Sequence, residues 1–136
     1  MNKFTPLVRL GITEKVQKFF GKDSRILAVF LLGSAARDSM RPESDIDLAI
    51  MSESGTSLDI LEITEITGSL SHEFARTVDL GEISSKNLVY AREVLLTGIP
   101  VYQKDTERVN LARANLLGLY VQFNLDRKEV LDAYKT

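Results

Sequence analysis

The longest uninterrupted apolar run in the chain is residues 26–32, which stops abruptly at a glycine. A run of this length that ends at a glycine predicts a buried strand followed by a turn. Asp45 and Asp47 alternate with Ile46 and Leu48 at the start of 45–51, and Thr77 and Asp79 alternate with Val78 and Leu80 in 77–83, which predicts two further strands. Residues 99–103 are a candidate short edge strand, a position where its proline is tolerable.

Helical spacing predicts the elements between and after these strands. After a loose lead-in over residues 1–9, Ile12, Val16, Phe19 and Phe20 define one face of a helix over 11–20. A capping box at Thr56 and Asp59 opens a helix that continues to about residue 75, with a stripe of Ile63, Ile66, Leu70 and Phe74. Another helix is predicted over residues 84–96.

The last predicted helix begins at Asp105, a good N-cap, and runs to about residue 134. Thirty residues is long for so small a domain, so we expect its distal half to extend past the sheet and to offer an apolar surface to a partner helix. These elements predict an α/β (α+β) fold in which a small mixed β-sheet is flanked by helices. We interpret residues 1–136 as a single domain, with 105–135 as the candidate partner contact.

The turn after the first strand carries Gly33 and Ser34. Glycine allows the backbone to approach a ligand closely, and Ser34 is a candidate cap for a short helix that starts there. Free N–H groups at a helix start attract anions. This turn is therefore a candidate seat for the β- and γ-phosphates of a nucleoside triphosphate.

Asp45 and Asp47 lie two residues apart in a predicted strand, so their carboxylates share one face of the sheet. Two such charges about 4 Å apart repel each other by roughly 4 kcal/mol at an effective dielectric constant near 20. A divalent cation removes this repulsion, and Mg²⁺ prefers carboxylate and phosphate oxygens. Asp79, on the polar side of the third predicted strand, supplies a third carboxylate.

Composition narrows the classes of partner. The chain has 17 basic and 19 acidic residues, a net charge of −2 and no basic cluster, so direct nucleic-acid binding is not expected. There is no cysteine, which excludes disulfides and thiolate chemistry. We found no apolar run of the length of a signal peptide or a membrane span, and we expect a cytoplasmic protein that does not bind membranes.

Gly33-Ser34, ten intervening residues, and then Asp45-x-Asp47 resemble the signature of the nucleotidyltransferase fold of the polymerase β superfamily, and the match extends to Arg37, Pro42 and Ser44. In layout the chain is most similar to the minimal nucleotidyltransferases, and among these to the antitoxins of HEPN–MNT toxin–antitoxin pairs. One position departs from the pattern, because the family often has glycine where this chain has Asp38.

The resemblance implies catalysis with two Mg²⁺ ions and ATP as the substrate. Asp45 and Asp47 would bind both ions, and Asp79 would bind the ion that activates the acceptor hydroxyl. Gly33 and Ser34 would hold the terminal phosphates and Arg37 would pair with a phosphate or with the acceptor, while Arg41 is a weaker candidate. The family implies AMP transfer to a hydroxyl of a HEPN-type toxin protein.

Two alternatives stay open at this point. The same chemistry would serve transfer to a small molecule of aminoglycoside type, and the acidic residues Asp38 and Glu43 are too few to decide for it. The chain could also be a catalytically silent antitoxin that blocks its partner by binding. All three aspartates and the Gly-Ser pair are present, so the sequence gives no sign of lost activity.

Overall fold

The computed structural model describes residues 4–135, which form one four-stranded sheet with helices on both faces. The elements in chain order are α1 (Phe4–Phe20), β1 (Ile26–Leu32), α2 (Gly33–Ala36), β2 (Ile46–Ser52), α3 (Ile60–Phe74), β3 (Val78–Ile83), α4 (Leu88–Thr97), β4 (Ile99–Gln103) and α5 (Thr106–Ala133). The strand order is β3-β2-β1-β4. β2 and β3 are parallel, whereas β1 is antiparallel to both β2 and β4. The mixed sheet and its flanking helices, predicted from the sequence, are confirmed.

Each face of the sheet is covered by its own apolar layer. The alternating residues Ile46, Leu48 and Ile50 of β2 face the layer that contains Ile12, Val16 and Phe20 of α1 and Leu70 of α3. The intervening residues Ala49 and Met51 face the layer that contains Ala91, Val94 and Leu95 of α4 and Val109 of α5. Because β2 is central and buried on both faces, any charged group on it lies against packed neighbours.

The sequence-based start of the first helix is wrong. Residues 1–3 lie outside the described residues, but α1 already begins at Phe4 and includes most of the expected lead-in. Pro6 is compatible with this start because the first helical turn does not need its N–H. Phe19, assigned above to the buried face, is 37% exposed and meets the buried Phe20 ring edge-on. The buried face follows the four-residue spacing of Ile12, Val16 and Phe20 instead.

The cap positions also differ from the prediction. The capping box of α3 pairs Asp59 with Glu62, so the N-cap is Asp59 and the helix begins one turn later than the Thr56 box implied. α2 is a single turn whose N-cap is Leu32, without a side-chain cap, so Ser34 does not cap it. α4 begins at Leu88 rather than at residue 84.

α5 is the longest helix described, and its N-cap is Asp105 as predicted, since this side chain accepts from the Arg108 N–H. Val109 is buried in the apolar layer that also contains Ala91, Val94 and Leu95 of α4. From Val121 to Lys135 every residue except Asn124 is exposed. The predicted overhang is therefore confirmed as an exposed helical segment with a large apolar content: Val121, Phe123, Leu125, Val130, Leu131 and Tyr134.

Among the described residues, no helix is both long enough and apolar enough to span a lipid bilayer.

Candidate active site

The candidate site lies where β1 ends and where β2 and β3 begin, beside the start of α4. Leu32, the last residue of β1, is paired with Asp47 of β2. The next residue, Gly33, has a φ of +65°, a conformation that glycine adopts without the steric penalty of a side chain. A Cβ at this position would stand 2.3 Å from Asp47 Oδ2, well inside van der Waals contact. The backbone of Gly33 therefore rests directly against the Asp47 carboxylate.

Asp47 and Asp79 are register partners on the parallel strands β2 and β3, so their side chains lie next to each other on one face. Burial raises the pKa of the Asp47 carboxyl above its usual range, and the neighbouring Asp79 and then Asp45 raise it further. The positive charge of Arg37 lowers the pKa of the same carboxyl and so offsets part of this increase. Asp45 and Asp79 are exposed, and Asp45 comes just before β2 begins. The site is a half-buried carboxylate with two acidic neighbours.

The pair Asp47 and Asp79 fits a divalent cation in the chemistry of its donors. Both are oxygen ligands, and their mutual repulsion is what a bound Mg²⁺ would relieve. Within residues 4–135, however, no three or more His, Cys, Asp or Glu side chains are gathered closely enough to enclose a metal ion. Of the predicted trio, Asp47 and Asp79 thus form an adjacent pair, and Asp45 is an exposed residue near enough to raise the pKa of Asp47.

The predicted phosphate-binding residues lie in the segment that follows β1, on the side of Asp47 that Gly33 contacts. Ser34 is half-buried within α2, and its carbonyl accepts from the N–H of Ser39 at 3.0 Å. Arg37 follows α2 as its C-cap and its side chain is exposed, near enough to Asp47 to affect the pKa of that carboxyl. Arg41 lies in the next loop with an exposed side chain and an N–H bonded to Ser44 Oγ. The structure thus brings Gly33 against Asp47 and the Arg37 charge near it, while Ser34 follows Gly33 in the chain.

Sequence reasoning missed Tyr90, which closes the other side of the cleft. This space of about 510 Å³ is lined by Leu32, Asp47, Asp79, Gly81, Asn87 and Tyr90, among others. The Tyr90 hydroxyl occupies the room that a side chain at position 81 would need, since a Cβ there would lie 2.1 Å from it. Burial, and then the Asp47 charge, raise the pKa of Tyr90, so its hydroxyl stays protonated. The sequence signal that could have indicated this contact is Gly81. It lies two residues after Asp79, on the same face of β3, and its missing side chain leaves room for a large group from another element.

Beyond Asn87 and Tyr90 the cleft opens into a wider groove between α4 and α5. This groove of about 690 Å³ is lined mainly by apolar and aromatic surface, including Leu88, Tyr120 and Phe123. The Arg92 guanidinium lies 5.3 Å from the centre of the Tyr120 ring. Asn87 and Tyr90 line both spaces, so the groove adjoins the cleft that holds the carboxylate pair.

Three solved structures are similar to this chain in fold. A chain of a toxin–antitoxin complex with AMP-PNP has 20% identity and a TM-score of 0.73, with 91% of this chain and 98% of that chain covered. A chain of a complex of tri-AMPylated Shewanella oneidensis HEPN toxin with MNT antitoxin has 19% identity and a TM-score of 0.72, with 94% and 99% covered. A further Shewanella oneidensis structure has 18% identity, a TM-score of 0.67 and full coverage of both chains.

The search of curated proteins gave no match. The sequence profile described as "Polymerase beta, Nucleotidyltransferase" matches residues 14–107, which is more than half of the chain and includes every element from β1 to β4. The protein therefore belongs to the polymerase beta nucleotidyltransferase family.

Proposed function

We propose that the protein is a Mg²⁺-dependent adenylyltransferase that moves AMP from ATP to a hydroxyl of a HEPN-type toxin and neutralises that toxin as its antitoxin. The observation that carries the proposal is the contact of Gly33 with Asp47, itself beside Asp79. Through this contact, the candidate phosphate-binding turn at Gly33 lies next to the carboxylate pair. The similar chains from complexes with AMP-PNP and with a tri-AMPylated toxin support both the nucleotide and the acceptor. As ATP is an intracellular substrate, we propose a cytoplasmic location.

Asp45, Asp47 and Asp79 are the residues that would hold Mg²⁺, and the ions would supply charge neutralisation at the phosphates and a lower pKa for the acceptor hydroxyl. Gly33 and Ser34 hold the β- and γ-phosphates, and Arg37 pairs with phosphate oxygen. The acceptor oxygen forms a bond to the α-phosphorus while the bond from that phosphorus to the α,β-bridging oxygen breaks. Pyrophosphate leaves, and Asp79 accepts the hydroxyl proton.

The acceptor enters from the side of Asn87 and Tyr90. In this proposal the triphosphate lies at the Gly33–Ser34 turn, where Gly33 meets the Asp47 carboxylate. The groove between α4 and α5 adjoins the cleft through Asn87 and Tyr90, which line both spaces, and it is the proposed approach for the acceptor. Its apolar lining suits a protein segment better than a polycationic small molecule. Tyr90, with its protonated hydroxyl, can donate a hydrogen bond to the incoming acceptor.

Catalysis, rather than binding alone, is the basis of neutralisation in this proposal. The double substitution Asp45→Asn with Asp47→Asn is expected to leave complex formation with the toxin intact and to abolish rescue of growth when both proteins are co-expressed. Affinity capture of the toxin from the same cells gives the control for binding. If the double variant protects cells as well as the wild type, the protein is an antitoxin that acts by binding, and the proposed activity is dispensable.

The overhang of α5 is the proposed contact for the partner. Leu125, 54% exposed on this segment, is expected to tolerate aspartate with a change in unfolding free energy of about 0.5 kcal/mol or less, because more than half of its surface is already in solvent in the isolated chain. Affinity for the toxin should fall about tenfold or more, since burying a charge in an apolar interface is unfavourable. Lys128→Ala on the same exposed segment is the matched control. Unchanged affinity of Leu125→Asp would place the contact elsewhere.

A further inference from the structure

Arg9 of α1 reaches across to the loop that carries the candidate phosphate-binding residues. Its guanidinium donates two hydrogen bonds to the Ala35 carbonyl, from Nε at 3.0 Å and from Nη2 at 2.6 Å. Nη2 also donates to Asp38 Oδ1 at 2.7 Å. A single side chain, 26 residues away in sequence, thus holds both ends of the segment 35–38.

The conformation of Asp38 makes this contact more than a surface ion pair. Asp38 has a φ of +55°, a left-handed conformation that is uncommon for residues other than glycine. The Arg9 side chain is only 25% exposed, whereas that of Asp38 is 59% exposed. A guanidinium that is shielded and held by three hydrogen bonds has a fixed direction, and its planar fork matches the carbonyl and the carboxylate together.

A second contact from α1 fixes the continuation of the same loop. The buried Thr5 hydroxyl accepts from the N–H of Met40 at 3.1 Å, and Met40 is itself buried. The loop from Gly33 to Met40 is therefore attached to α1 at both Arg9 and Thr5. Its opposite side rests on Asp47 through the close approach of Gly33.

We propose that Arg9 is a positioning residue that sets the distance between the Gly33–Ser34 turn and the Asp47 carboxylate, and so the affinity for a nucleoside triphosphate. This inference rests on the proposed function, in which that turn holds the terminal phosphates. α2 is only four residues long, so a shift of the Ala35 carbonyl moves Gly33 and Ser34 with it. Arg9 acts through the backbone, and its charge is balanced by Asp38.

Arg9→Met removes the guanidinium but keeps an apolar stem, and Lys18→Met on the exposed side of α1 is the matched control for loss of a positive charge. We expect the dissociation constant of AMP-PNP, measured with Mg²⁺ by calorimetry well below the melting temperature, to rise about tenfold in Arg9→Met and to stay within twofold in Lys18→Met. Affinity for the toxin should be the same in all three proteins. Asp38→Gly relaxes the left-handed backbone but removes one hydrogen-bond partner of Arg9. It should raise the dissociation constant of AMP-PNP about threefold.

Three results would overturn this inference. An Arg9→Met protein that binds AMP-PNP as tightly as the wild type shows that Arg9 does not position the turn, and equal losses of nucleotide and toxin affinity show a general folding role. If Arg9→Met does not fold, an unchanged constant in Asp38→Gly decides against the inference. Failure of the wild type itself to bind AMP-PNP is a separate outcome, because it overturns the proposed function as well.

Discussion

Replacing Asp47 with asparagine is expected to lower the rate of AMP transfer by about 10³-fold and to raise the melting temperature of the metal-free protein. The loss of rate follows from the place of Asp47, which contacts Gly33 and lies beside Asp79. Removing this carboxylate takes away the group best placed to hold Mg²⁺ against the triphosphate. The gain in stability follows from its burial and from its acidic neighbours.

The direction of the stability effect depends on pH. Because the pKa of Asp47 is raised in the folded protein, ionising this carboxyl is less favourable there than in the unfolded chain. The resulting penalty is absent below the unfolded value near 3.8 and fully present once the pH exceeds the folded value. Asp47→Asn should therefore melt at a higher temperature than the wild type in EDTA at neutral pH, and added Mg²⁺ should stabilise the wild type but not Asp47→Asn. Glu65 is exposed on α3, and Glu65→Gln is the control. It should change neither the melting temperature in EDTA nor the stabilisation by Mg²⁺. A lower melting temperature for Asp47→Asn in EDTA would show that the carboxylate stabilises the fold.

Replacing Gly33 with alanine is expected to reduce AMP transfer by about 100-fold or more, because an error of about 1 Å in the position of a reacting group can have an effect of that size. The new methyl group would meet Asp47 Oδ2 at 2.3 Å, so the turn and the carboxylate must move apart. We also expect about 2 kcal/mol of lost stability, from the left-handed conformation together with the overlap.

Gly55→Ala is the matched control for this substitution. Gly55 also has a left-handed conformation, with a φ of +80°, but a Cβ there would meet nothing within 4 Å. It should therefore lose about 1 kcal/mol of stability while transfer continues at the wild-type rate. Chemical denaturation and a transfer assay on both variants separate backbone strain from the contact with Asp47. Equal activity of the two alanine variants would show that the approach of Gly33 to Asp47 is unimportant for transfer.

The sequence predicted those parts of the molecule that depend on local patterns. The apolar run of β1, the alternation in β2 and β3, and the N-cap of α5 at Asp105 were found because strand period and cap chemistry are properties of neighbouring residues. The adjacency of Asp47 and Gly33 depends on the antiparallel pairing of β1 with β2, which sets Leu32 opposite Asp47 and which no local pattern gives. The parallel pairing that puts Asp79 beside Asp47 is a tertiary fact, and only the resemblance to a family anticipated it.

What the sequence could not predict depends on contacts between distant segments. The first residues of α1 lack a clear apolar period, yet Thr5 and Arg9 are fixed there because they bind the loop at 35–40. Tyr90 comes to the cleft because α4 packs across the end of β3, which no local pattern records. The N-cap of α3 was misplaced because Thr56 and Asp59 are both acceptable caps, and the Glu62 side chain favours the second.

The proposed AMP transfer can be detected in the intact mass of both proteins after the purified chain is incubated with Mg²⁺, ATP and the HEPN-type toxin proposed to be encoded beside it. We expect the toxin to gain one or more AMP units, and to gain none when Mg²⁺ is replaced by EDTA or when Asp47→Asn replaces the wild type. A toxin whose mass is unchanged while a tight complex still forms would contradict transfer and would leave an antitoxin that acts by binding alone.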